Sequence, residues 1–281
     1  MKKTVICLLL FGIGLTVSAQ EKAETVSMRY ETQNDMPLFY QKLKESLTYP
    51  MAWRNSSIRN FEKWREGARK VLLDCMQPAP PVAAFDKEVI DTEQRNGYRA
   101  EKILFSVSEY SRVPAYLLVP DGNGPFPAVL LLHDHGAHFS IGKEKMVRPF
   151  GVEASVLADA DDWAEKCYDK QYVGDYLASH GYVVLAVDAL FWGERGRKEG
   201  VRYDSQQALA ANMLQMGMSW GALIAWDDIR SAEFLASLPM VHKEKIGTMG
   251  FFHGSTSCLD GQCRYRCGEG RRCCVLDEYY R

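Results

Sequence analysis

Two short runs without a polar break constrain this chain most. They are Pro127-Ala128-Val129-Leu130-Leu131-Leu132-His133 and Tyr182-Val183-Val184-Leu185-Ala186-Val187-Asp188. A strand with one wet face alternates apolar and polar residues. Continuous apolarity needs cover on both faces, as in a parallel sheet clad with helices. Residues 172–180, closed by Gly181, read as a helix. Residues 222–238 read as a long amphipathic helix, and Lys245-Ile246-Gly247-Thr248-Met249-Gly250 as a third short strand. Strand, helix, strand, helix, strand predicts parallel pairing through right-handed crossovers. Upstream, residues 101–107 and 113–120 read as a hairpin, and Asp121-Gly122-Asn123-Gly124-Pro125 as a turn.

The flanks read differently. Lys2 and Lys3, an apolar stretch over 5–17 and the small-residue step Val17-Ser18-Ala19 have the form of a cleavable export signal. That stretch is short for a bilayer span, and no basic stop-transfer cluster follows it. Residues 61–73 carry apolar side chains at helical spacing, and Pro78, Pro80 and Pro81 stop any helix beyond them. The expected organisation is a signal over 1–19, a helical extension and linker over 20–95, a core over 96–256 and an anomalous tail over 257–281. The net charge of −2 gives no basic excess for nucleic acid.

Chemistry is expected beyond the carboxyl ends of the strands. His133-Asp134-His135-Gly136-Ala137-His138 follows the first apolar run. Its spacing allows a His/Asp metal site, an oxyanion loop whose backbone N–H groups face a reacting carbonyl, or a polar turn. Asp188 opens Asp188-Ala189-Leu190-Phe191-Trp192-Gly193-Glu194-Arg195-Gly196. It could be a catalytic carboxylate or a brace for neighbouring loops, with Glu194 and Arg195 free to pair with each other. The third strand runs into Gly250-Phe251-Phe252-His253-Gly254. This is the frame of a G-x-S-x-G nucleophile elbow with phenylalanine at its centre.

As a set, these motifs resemble bacterial α/β-hydrolases related to acetyl xylan esterases and dienelactone hydrolases. The matching pieces are His133-Asp134-His135-Gly136, Asp188 through Gly196, Trp226-Asp227-Asp228-Ile229-Arg230 with Phe234-Leu235, and Lys245 through Phe251. The resemblance implies an α/β-hydrolase fold with a mostly parallel sheet flanked by helices, incomplete at the C-terminus. It implies a serine at position 252, where Phe252 stands. Oxyanion amides would come from His253 and from His135-Gly136, with His133, Asp134, Asp188, Glu194 and Arg195 shaping the site. The implied substrate is a small ester or carbohydrate ester, and neither cofactor nor metal is implied. An exported protein without nucleic-acid or membrane partners, once its signal is cleaved, completes the expectation. The competing expectation is a hydrolase-like protein that binds a ligand without catalysis.

Catalysis by the chain as written is not expected. Phenylalanine has no nucleophilic atom, and in this fold the acid and histidine follow the nucleophile. Residues 254–281 contain no histidine. Five of the eight cysteines fall between Cys258 and Cys274, without any C-x-x-C pair. A disulfide knot in an exported chain is one expectation for this tail, and a displaced reading frame, which would account for both anomalies, is the favoured one. Where Leu-Asp at 259–260 and 276–277 is encoded CTG-GAT, reading one base later gives Trp-Met, and with suitable third bases the stretch becomes a small-residue helix running into a buried strand. A similar slip turns Phe-Ser-Met into Phe-Phe-His at 251–253.

Overall fold

The computed structural model describes residues 32–33, 36–136, 138–197, 199–250 and 274–275. The chain divides into two compact units, with the boundary between Arg59 and Asn60. In the first unit, β1 (Thr32–Gln33) and β2 (Met36–Pro37) form a two-residue antiparallel ladder. It is followed by α1 (Phe39–Glu45), which buries none of its residues.

The second unit opens on α2 (Phe61–Cys75). Its cap is Asn60, whose side chain accepts from the Lys63 N–H at 2.9 Å and satisfies a donor that the first turn would leave open. Next come β3 (Glu88–Arg95), β4 (Tyr98–Ser106), β5 (Arg112–Pro120) and β6 (Phe126–Leu132). Then follow α3 (Ala154–Cys167), α4 (Val173–Ser179), β7 (Val183–Val187), α5 (Tyr203–Gln215), α6 (Trp220–Ser237), β8 (Val241–Gly250) and the two-residue β9 (Cys274–Val275).

The strands form one sheet in the order β3-β4-β5-β7-β6-β8-β9. From β3 to β7 neighbours run antiparallel; from β7 to β9 they run parallel. The apolar runs lie where their composition requires, at the covered centre. All five residues of β7 are buried. Val183, Leu185 and Val187 pack in one core with Ala232, Phe234 and Leu235 of α6. Val184 and Ala186 pack in the other with Ala178 of α4. Each buried aliphatic side chain stabilises by about 1.5–3 kcal/mol relative to exposure. Phe234 of α6 stacks on Phe105 of β4 with centroids 4.2 Å apart. Gly181 closes α4 at φ +86, a left-handed turn that glycine adopts without a Cβ penalty.

The sheet takes in Glu88–Arg95, eight residues inside the stretch read from sequence as linker. Glu-Val-Ile-Asp-Thr-Glu-Gln-Arg has no apolar alternation, and most of it is exposed at the sheet edge. Its strand character comes from pairing with β4, which composition does not record.

One row of the sheet matters most for the site. Leu132, the last residue of β6, pairs with Val187 on one side and with Gly250 on the other. The strand ends at Leu132, Val187 and Gly250 therefore lie side by side. Phe252, His253, the expected export signal over 1–19 and the tail apart from 274–275 lie outside the described residues. Among the described residues, no helix is long and apolar enough to cross a membrane.

Candidate active site at the strand ends

The loop after β6 is built around two buried polar groups. His133 is buried, and both ring nitrogens are engaged. Nδ1–H donates to the Asp134 carbonyl at 2.7 Å, and Nε2 accepts from the Ala189 N–H at 3.0 Å. These partners assign the neutral tautomer with the proton on Nδ1. Burial, then the nearby Lys145 ammonium, pushes the His133 pKa down to about 4. His133 thus ties the loop after β6 to the loop after β7 as a neutral brace.

Asp134 is 1% exposed and its carboxylate is fully used. Oδ1 accepts from Gly136 N–H at 2.7 Å and from Lys145 Nζ at 3.3 Å. Oδ2 accepts from Trp163 Nε1 at 2.9 Å and from the Tyr168 hydroxyl at 3.2 Å. Burial opposes ionisation, but Lys145 and these donors outweigh it, and the carboxyl lies below its ordinary range. Lys145 also reaches the Gly136 carbonyl at 3.2 Å and stands 4.9 Å over the Trp163 ring.

The Gly136 amide is therefore spent on Asp134 and is turned away from the role of an oxyanion donor. Gly136 contributes shape instead, since a Cβ there would collide with the Trp163 ring. The Asp134 carbonyl faces inward to His133 Nδ1 and to Lys145 Nζ. Across a planar trans peptide, the His135 N–H points the opposite way. Of the two residues expected to supply an amide from this loop, the geometry favours His135.

Behind this loop lies a second polar centre. Lys143 is fully buried, with Nζ 2.6 Å from Glu144 Oε1, 2.9 Å from Asp188 Oδ2 and 2.6 Å from Glu194 Oε2. Oxygens of those three carboxylates lie within 4.8 Å of one another, a spacing that suits a metal ion. The Lys143 ammonium stands among them. Burial alone would depress the lysine, but the carboxylates, Asp188 foremost, raise it well above its usual value. Asp188 also accepts from the backbone N–H of Lys143 at 2.7 Å and of Glu194 at 3.1 Å. Burial lifts its pKa to about 6 against the pull of Lys143. Gly142 and Gly193 make room for this carboxylate, because a Cβ on either would collide with Asp188 oxygens.

Glu194 and Arg195 do not pair with each other. Glu194 holds Lys143 and, at 3.0 Å, Lys102. Arg195 holds Asp227 at 2.8 Å, the Asp188 carbonyl at 3.2 Å and Ser111 Oγ at 3.1 Å. Gly193–Arg195 is a single turn of 3₁₀ helix, in which consecutive side chains point about 120° apart, so adjacency in sequence does not bring their charges together. Asp188, His133, Asp134 and Arg195 are thus brought into one braced assembly, while His135 stands exposed at its surface.

Lys143, Lys145, Trp163 and Tyr168 carry no motif that marks them in the sequence. Lys143-Glu144-Lys145 reads as a solvated charge cluster, yet all three residues are buried. The available signal is indirect: two aspartates at buried strand ends require buried cations.

Between the two loops lies an open cleft of about 500 Å³, lined by His138, Phe139, Ser140, Asp159, Arg197 and Val201, with glycines of the 193–200 loop. The His138 ring and Ser140 Oγ both engage the Asp159 carboxylate. Phe139 packs edge-on against Tyr203, with centroids 5.1 Å apart.

A mixed sheet with helices on both faces, a braced glycine loop after β6 and a G-x-x-x-G segment after β8 define the α/β-hydrolase class. The chain belongs to the Abhydrolase family, whose model matches residues 35–259. It is 27% identical over 207 residues to the provisionally named hydrolase YtaP of Bacillus subtilis (strain 168), covering 71% of this chain and 62% of that protein. A crystal structure from Bacteroides fragilis NCTC 9343, described as an acetyl xylan esterase by inference, superposes with TM-score 0.65 at 22% identity. That match covers 83% of this chain and 60% of the other. A dienelactone hydrolase of Anabaena variabilis ATCC 29413 overlaps more loosely, at TM-score 0.35 and 17% identity, over 59% of this chain and 57% of its own. The chain spans about three-fifths of the length of these relatives.

Proposed function

We propose that this fold serves hydrolysis of a small ester or carbohydrate ester through a serine acyl-enzyme, outside the cytoplasm, and that the chain as written does not carry it out. The observation that supports the reading is the Leu132 row. It starts the braced loop at His133, the Asp188 loop and the segment Gly250–Gly254 from adjacent positions on one sheet edge. A nucleophile two residues beyond β8 would follow the strand end next to the one that leads into His133 to Gly136. In this reading position 252 is the nucleophile's place, and the His253 and His135 amides receive the oxyanion. Gly136, His133, Asp134, Asp188, Glu194 and Arg195 hold the shape of the site. The mechanism needs neither metal nor cofactor. Phe252 blocks it, because a phenyl ring offers no lone pair for attack. Residues 1–19 would direct export.

Release of p-nitrophenol from p-nitrophenyl acetate tests each part. The chain as written is expected at background. Phe252→Ser alone is also expected at background, because residues 254–281 hold no histidine to act as base. In the gene, the frame next to the codons for Phe252 and Ser257 is expected to restore serine and continue to an aspartate and a histidine. Protein made from that frame is expected to turn over the ester. Turnover by the chain as written overturns its inactivity. A neighbouring frame that closes at once overturns the displaced-frame origin. A restored protein without turnover overturns the esterase reading.

A further inference from the structure

We propose that Lys143 acts as an internal cation that holds the two walls of the cleft at a fixed separation, so that the cleft keeps its form only while that ammonium is in place. One wall comes from the loop after β6, the other from the loop after β7. Four hydrogen bonds tie them without it: Gly193 N–H donates to the Phe139 carbonyl at 3.0 Å, Ala189 N–H to the His133 ring, the Trp192 indole to the Gly136 carbonyl at 3.5 Å and the Lys143 backbone N–H to Asp188. The charged part of the connection runs through Lys143. Its ammonium lies on the first wall and bonds Asp188 and Glu194 on the second. Its backbone N–H bonds Asp188 Oδ1, and Glu144 closes the cage from the same side.

Without the ammonium, three carboxylates would face one another across the joint, with Lys102 left to offset them from the Glu194 side. Like charges at that spacing repel strongly in a buried setting. They would relax by parting, which moves the 188–196 loop away from the 133–146 loop. The inference concerns the form of the cleft and holds whatever reaction the cleft serves.

Hydrogen exchange of the full chain tests it. Lys143→Met keeps the unbranched apolar stem and removes the charged end. It is expected to speed exchange on the order of a hundredfold at the amides of Lys143, Ala189, Gly193 and Glu194. Amides of the β4–β5 ladder should change far less. Equal acceleration at both sets would mark a general loss of stability and overturn the proposal, as would unchanged exchange at the joint. Lys143→Ala separates charge from packing. Propylammonium, which matches the missing part of the side chain, is expected to restore slow exchange at the joint, while 1-propanol is not. Rescue by both, or by neither, overturns the claim that charge is what holds the walls. Should either variant fail to fold, Glu194→Gln serves, because Glu194 is partly exposed and Lys143 keeps Asp188 and Glu144, while Lys102, which loses its carboxylate, is itself partly exposed. It is expected to loosen the Glu194 amide selectively; no change there overturns the proposal.

Discussion

Lys143 and Lys145 stand two residues apart on one short turn, both fully buried, and their surroundings drive them in opposite directions. Lys143 meets three carboxylates and is held charged well above its ordinary range. Lys145 meets one carboxylate, two carbonyl oxygens and the face of Trp163, and burial pulls its pKa down. Equal burial therefore does not decide what a buried lysine does. The number of full negative charges within hydrogen-bond reach decides it. The Lys143 pocket is an ionic joint between two loops, and the Lys145 pocket is a hydrogen-bonded brace within one.

Removing each charge in turn should produce the largest difference. Lys143→Met leaves three facing carboxylates, and a loss of about 3–5 kcal/mol in urea unfolding is expected. Lys145→Met leaves Asp134 with three other donors, so a loss of about 1–3 kcal/mol is expected. Equal losses would break the comparison.

A pH titration sharpens it. In the wild type two neighbours of these pockets oppose each other. His133, depressed from 6.5 to about 4, binds fewer protons folded than unfolded, so its contribution is lost as pH falls from 6.5 towards 4. Asp188, raised from 3.8 to about 6, binds more protons folded, so it adds stability as pH falls from 6 towards 3.8. His133→Gln removes the first effect alone. Measured against wild type, the stability of this variant should improve by about 3 kcal/mol between pH 6.5 and 4, because each tenfold difference in proton affinity is worth ~1.4 kcal/mol. A constant difference across that range would mean that His133 titrates normally.

Smaller effects probe packing. Gly142→Ala sets a Cβ against Asp188 Oδ1, and about 2 kcal/mol of destabilisation is expected in thermal unfolding. Trp163→Phe removes one donor from Asp134 and should cost about 1 kcal/mol by the same measurement. A cost for Trp163→Phe above that of Lys145→Met would place the strength of the brace in the indole rather than the ammonium.

The sequence carried the fold further than it carried the site. β6 and β7 were legible because a strand covered on both faces must be apolar throughout, and α4 announced its end with Gly181; of β8 only the part from Lys245 was legible, because its first half is the polar, largely exposed run His242–Lys245. The strand-end loops were legible because His, Asp and Gly interrupt those runs abruptly. β3 was not, because an edge strand is specified by its partner's backbone. The partners of Asp134 and Asp188 were not legible either. A buried Lys-Glu-Lys has the same letters as a solvated one, and only the fold of the 139–146 segment turns it inward. The Gly136 amide is a case of the same kind: its neighbour Asp134 looks like a loop former, and the carboxylate's claim on that N–H depends on one side-chain rotation.

The pairing of Leu132 with both Val187 and Gly250 gives the three strand ends a common datum line. The loops after β6 and β7 start level on this row and are then tied to each other by the His133 ring and the Lys143 ammonium. Neither of the two can therefore be shortened or exchanged without disturbing the other, as two leaves hung on one rail and latched together move as a pair. A slip of β6 by one residue would break the row on both sides, and it would also exchange the side chains that face the two cores.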